Sequence, residues 1–295
     1  MADRSEIGQH RPSLGKFDSD TAVWREGGSE RSEIGQQHVF GAEVSPDWRA
    51  GRGPHGGYLA AMLLRALMQS VADPLRSPRS LTIHFASAPE PGPVSISTVL
   101  EREGRSLSTL SARMEQDGTL TALVLAAFSV PWSGPEISDI EMPRVAPPDA
   151  TREPGTLLKH GAPPFTRNIT LQPRLGGIPF SGAEQPMEFG GWLGLAESRP
   201  VDALSLAFFT DALIPAPFMR LTEPNAAPTI DLTVHFRVPT PGRGAPDPDE
   251  LCLVRIRGGL IRDGFFEEDS MIWAPDGTML AQSRQLGLLM PLRIG

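Results

Sequence analysis

The pentapeptide Leu81-Thr82-Ile83-His84-Phe85 returns 151 residues later as Leu232-Thr233-Val234-His235-Phe236. Arg102-Glu103-Gly104 is answered by Arg262-Asp263-Gly264, and the turn Asp117-Gly118-Thr119-Leu120 by Asp276-Gly277-Thr278-Met279, now 159 residues on. Three matches in one order, with little drift in spacing, describe two copies of one module. Each copy must therefore build the same small fold, and whatever differs between them has been added to that frame.

Both copies read alike. An apolar segment of helical length comes first, Tyr58 to Met68 in one and Ala203 to Leu213 in the other, and each is apolar almost all round, as a helix covered on most sides must be. Asp202 supplies the start signal for the second helix and Pro215 its stop. Runs of strand type follow, among them Val94–Leu100 and Leu251–Ile256. The Asp-Gly turns then send the chain back through Leu120–Val130 and Met279–Leu289. A buried helix followed by an antiparallel meander predicts a helix wrapped by a curved sheet, an α+β unit made twice. The expected organisation is a loose N-terminal segment 1–16, modules at 17–132 and 187–295, and a Pro-rich linker 133–186 between them. A second, shorter repeat, Arg4-Ser5-Glu6-Ile7-Gly8-Gln9 against Arg31-Ser32-Glu33-Ile34-Gly35-Gln36, has no physical account.

Composition narrows the class. Gly and Pro, 30 each in 295 residues, favour turns and strands over long helices. A net charge of −8 argues against nucleic acid as the main partner, since phosphate backbones reward clustered Lys and Arg. The lone cysteine, Cys252, excludes an internal disulfide, and no His/Cys cluster has zinc-like spacing. The polar start MADRSEIGQHRPSLG is unlike a signal peptide, and no apolar run is long enough for a membrane span. A soluble cytoplasmic protein without metal or redox cofactor is expected.

Polar residues in apolar elements are the candidates for chemistry, because burying them costs free energy unless something uses them. Asp211 ends the apolar run Leu206-Ala207-Phe208-Phe209-Thr210, where a carboxylate opposes the helix dipole. Thr229 opens one strand and Gln285 sits in the last. His84 and His235 hold equivalent strand positions and are read as packing residues, and Cys252 as a small core residue. His55-Gly56-Gly57 resembles the oxyanion segment of α/β-hydrolases, but no G-x-S-x-G elbow accompanies it.

Several motifs, taken in order, carry a resemblance to the TesB-like acyl-CoA thioesterases. Gly53-Pro54-His55-Gly56-Gly57-Tyr58 resembles that family's turn into its first helix, and Glu103-Gly104-Arg105-Ser106-Leu107-Ser108 its "DGxSFS" segment. Thr229-Ile230-Asp231 before Phe236-Arg237 resembles "TID…FHR", with Leu232 where the family has His. Asp276-Gly277 followed by Gln285-Leu286-Gly287 resembles "DG…QEG". The likeness runs from about Phe17 to Met290 and is thin in the Pro-rich linker, with Gly194 where an Arg is expected.

The resemblance implies a double hotdog fold and an Asp, a Thr and a Gln holding a hydrolytic water; these fall on Asp211, Thr229 and Gln285. Carried back through the repeat, Thr229 becomes Pro78 and Gln285 becomes Ala126, so one site per chain follows. Backbone N–H groups near His55, Gly56 and Gly57 are the expected oxyanion donors. Arg102 and Arg105 are weaker candidates for CoA phosphates. The expected substrate is an acyl-CoA, hydrolysed to fatty acid and CoA, in a homodimer or homotetramer. A non-catalytic acyl-binding protein is the rival; a hydratase is disfavoured, for want of an Asp–His pair at either helix start.

Overall fold

The computed structural model describes residues 15–27, 34–71, 73–152, 162–182, 184–238, 247 and 249–291. The first copy of the short Arg-Ser-Glu-Ile-Gly-Gln repeat lies outside them. Twelve strands form the main sheet: β1 Val23–Gly27, β2 Gln37–Val44, β3 Ser77–Phe85, β4 Gly92–Glu103, β5 Leu107–Gln116, β6 Thr119–Ser129, β7 Ile169–Leu175, β8 Glu188–Leu195, β9 Thr229–Phe236, β10 Cys252–Arg257, β11 Phe265–Trp273 and β12 Met279–Leu288. Their order across the sheet is β1-β2-β4-β5-β6-β3-β9-β12-β11-β10-β8-β7, all pairs antiparallel, and the short strand Ile261–Arg262 joins β11 at one end.

Counted outward from the centre, each strand n of the first half has its counterpart n + 6 at the same place in the second. The seam is β3 against β9, with Thr82 opposite Thr233 and their hydroxyls 3.1 Å apart. Those two threonines are repeat equivalents, so the halves meet about a local two-fold axis. A bulge breaks β3 between Pro78 and Ser80 and β9 between Thr229 and Asp231, the same step in both copies.

Strand alternation and turn chemistry explain the local pairing. Asp117 and Gly118 take positive φ (50° and 74°), which suits the two-residue turn that matches strand twist. In the second copy the reversal runs Ala274-Pro275-Asp276-Gly277, where Pro275 presets the turn and Gly277 alone takes positive φ (90°).

Among the described residues three α-helices accompany the sheet: α1 Lys16–Asp20, α2 Gly56–Ser70 and α3 Ala203–Phe209. Helices α2 and α3 pack against each other and against strands of their own halves. The main core lies between them and the sheet, where the Trp48 ring meets those of Phe17, Tyr58 and Phe208, and Phe17 also meets Phe208. Each such side chain removed from water contributes roughly 1.5–3 kcal/mol. The expected start of α3 is there: Asp202 and Ser205 form a reciprocal capping box. Its expected extent to Leu213 is not. The N–H groups of Asp211 and Ala212 bond three residues back, to Phe208 and Phe209, so the helix tightens into a turn and ends at Phe209.

Strand β7 falls inside the stretch read as linker, where it forms the outer edge of the second half. The segment around residues 142–146 lies over the outer face of that half. Met142 and Val145 pack on Trp192, Leu251, Leu253 and Trp273, and the Trp192 indole N–H donates to the Ala146 carbonyl. His84 and His235, read from sequence as packing residues, are exposed, because alternation turns both to the outer face. Cys252 is fully buried, and burial pushes its thiol up to about 12.

Candidate active site

The turn after α3 delivers Asp211 to the first turn of α2. Its Oδ2 accepts the Gly57 N–H at 2.8 Å. A carboxylate that opposes the dipole of its own helix thus meets the positive end of another, which is favourable. This close approach depends on two glycines. A Cβ on Gly57 would stand 2.5 Å from the Phe208 carbonyl oxygen, and one on Gly56 would stand 2.8 Å from Asp211 Oδ2.

His55 caps α2, and both of its ring nitrogens are engaged. Nδ1 accepts the Tyr58 N–H (3.3 Å), so the proton sits on Nε2, which donates to the Asp211 carbonyl oxygen (3.0 Å). Burial holds its pKa below the usual imidazole value, outweighing the opposite pull of Asp211, so the ring is neutral. With Phe165 and Phe208 against it, His55 holds the Asp211 turn onto α2.

The second part of the site is a chain of side chains on the inner face of the second half. Thr229 Oγ1 donates to Gln285 Oε1 (2.8 Å), and Gln285 Nε2 donates to Glu268 Oε1 (2.7 Å). The other Glu268 oxygen accepts the Ala216 N–H. Gln285 and Glu268 face each other across β12 and β11, and both are buried. Burial pushes Glu268 up to about 7; the hydrogen bonds from Ala216 and Gln285 oppose this, while the charges of Asp211 and Asp269 reinforce it.

Glu268 escaped the sequence reading. It lies in Glu267-Glu268-Asp269, an acidic run that looks like a solvated edge. Period-two reading of β11 exposes it, because Phe266, Glu268, Ser270 and Ile272 share the inward face. Among the described residues it is the one acidic side chain in the buried class.

Asp211 is thus brought to Gly57 and His55, and Thr229 to Gln285. Arg102 and Arg105 are not brought to them. Through successive strand pairs Arg102 lies level with Thr109, Ala127, Ser80 and His235. His235 is six residues along β9 from Thr229, roughly 20 Å at strand rise. Arg102 and Arg105 are both exposed, and the Arg105 carbonyl oxygen accepts from Arg76.

A helix pair packed on a twice-repeated antiparallel sheet is the architecture of the hotdog class. The solved hotdog protein of unknown function from Alicyclobacillus acidocaldarius superposes with a TM-score of 0.82, at 25% identity over 95% of this chain and 99% of that one. The acyl-CoA thioesterase II TesB2 of Mycobacterium marinum shares the fold, with a TM-score of 0.70 at 17% identity, covering 94% and 99%. In sequence, an uncharacterised protein of Mycobacterium tuberculosis is 23% identical over 274 residues, 85% of this chain and 91% of its own. The family model for the acyl-CoA thioesterase N-terminal domain matches residues 44–129, and that for the C-terminal domain matches 141–289. The chain belongs to this TesB-like acyl-CoA thioesterase family.

Proposed function

We propose that the protein hydrolyses acyl-CoA thioesters to a carboxylate and free CoA, with a water held between Asp211 and Thr229. The observation that carries this reading is the docking of the Asp211 carboxylate on the Gly57 N–H, together with the Thr229–Gln285–Glu268 hydrogen-bond chain of the second half. Gly57 fixes one oxygen of Asp211, and the carboxylate is the general base. Thr229 gives its own proton to Gln285, so its lone pairs are left to accept from the water.

In this mechanism the water donates one hydrogen to Asp211 and the other to Thr229. Its lone pair then faces the thioester carbonyl. As the C–O bond forms, Asp211 takes the first proton. The negative charge on the carbonyl oxygen develops at the start of α2, where the Gly56 N–H and the helix dipole stabilise it. Collapse breaks the C–S bond, and the thiolate leaves with the proton from Asp211. Gln285 and His55 act by orientation: one aims Thr229, the other holds the Asp211 turn.

The test is CoA release from an acyl-CoA chain-length series. Turnover on at least one chain length, lost in Asp211→Asn, is the expected result. Binding of acyl-CoA without release on any chain would instead favour a carrier or scaffold, and Asp211 would then be structural.

A further inference from the structure

Glu268 is buried, reaches Thr229 only through Gln285, and has no part in the mechanism above. Its chemistry fixes the direction of everything in line with it. An ionised carboxylate only accepts, so Glu268 demands the NH2 of Gln285; the amide oxygen must then face Thr229, and the Thr229 hydroxyl must donate inward. A protonated Glu268 still accepts the Ala216 N–H on one oxygen but presents O–H to Gln285 on the other. The amide then turns over, its NH2 donates to Thr229 Oγ1, and the Thr229 proton is released toward the cleft.

We propose that Glu268 is a positioning residue that sets the direction of the Thr229–Gln285 hydrogen-bond chain and so decides whether Thr229 accepts from the attacking water or donates to it. In the first direction the water gives one hydrogen to Asp211 and one to Thr229 and keeps both lone pairs for the carbonyl. With Thr229 donating, one of its two lone pairs is tied up and its second proton loses the acceptor that aimed it, so attack is misoriented rather than abolished.

The ionisation of Glu268 near neutrality makes the device responsive in a useful range. The charged groups that act on it are Asp211 from the turn after α3 and Asp269 beside it in β11. Asp269 turns outward to Arg284 of β12 and lies opposite Arg257 of β10. The 3-10 helix Ala216–Met219 contributes only the Ala216 N–H. Both acids favour the protonated form of Glu268, so the direction of the chain depends on the charge of Asp211 itself.

This inference rests on the hydrolase reading, and its test keeps the two apart. Glu268→Gln mimics the protonated form, since its oxygen is needed by Ala216 and its NH2 faces Gln285. Its turnover should fall about tenfold or more at pH 8, the worth of one misdirected hydrogen bond. The limb by which the wild-type rate rises with pH near neutrality should disappear. The exchange Glu268→Gln with Gln285→Glu restores an acceptor toward Thr229 and should recover most of the loss. Infrared difference spectra of the unliganded protein should gain a carboxylic-acid band between pH 8 and pH 6 that Glu268→Gln lacks, whatever the activity. A limb unmoved in Glu268→Gln, or no such band in wild type, overturns the proposal. A wild-type protein that shows the band but releases no CoA sinks the hydrolase reading instead.

Discussion

The two halves share a frame and divide the labour. Their strands correspond one for one and bulge at the same step, yet the hydrogen-bonded trio Thr229–Gln285–Glu268 of the second half stands where the first has Pro78, Ala126 and Leu110, as the pairings Gln285–Glu268 and Ala126–Leu110 show. The first half contributes a long helix whose N-terminus receives Asp211; the second contributes the acid and the polar chain. Their outer faces differ as well. Leu123 and Leu125 of the first half are 42% and 54% exposed, whereas the incoming chain around Met142 covers the second. The duplicated fold thus places the Thr229–Gln285–Glu268 chain in one copy and none of its equivalents in the other.

Four experiments break or sharpen that contrast. The largest effect is expected from Asp211→Asn, which keeps an oxygen for Gly57 but removes the base: CoA release should drop by about a hundredfold or more, with the melting temperature little changed. Next comes Trp192→Ala, which strips the cover from the second half. A loss of about 3–5 kcal/mol in denaturant unfolding is expected, and a loss under 1 kcal/mol would mean that the covering segment adds little.

Third is the stability cost of the buried acid. Glu268 titrates higher in the folded than in the unfolded chain, so the folded state holds its proton longer. Its contribution is present below about pH 4.5 and lost as pH rises through about 7. Glu268→Gln should therefore gain stability relative to wild type between pH 5 and pH 8, by about 3 kcal/mol at most. An unchanged difference across that range would contradict the assignment. The smallest effect belongs to the bare face of the first half: Leu125→Ser should shift unfolding by within about 0.5 kcal/mol.

Much of this was legible in the sequence because repeats and turns are local signals. The 151-residue offset reappears as Thr82 opposite Thr233, and the Asp-Gly turns sit where they were expected. The substitutions Pro78 for Thr229 and Ala126 for Gln285 were also readable, and the strand pairings agree with them. The misreadings share a cause: composition hid geometry. Apolar residues continue past Phe209 into a turn, prolines surround a true strand at Ile169–Leu175, and neighbouring acids disguised Glu268. The contact of Asp211 with α2 was beyond reach, since it joins residues 154 apart through a turn no pattern announces.

The seam at Thr82 and Thr233 has a consequence for how such a chain assembles. Its two strands lie about 150 residues apart, so their pairing closes a long loop and belongs among the late events of folding. Until then each half carries a bare sheet edge that is matched, nearly residue for residue, to a strand of its own kind. Released from its neighbour, the Ser77–Phe85 edge of the first half is a template for a second copy of itself, crossing at Thr82.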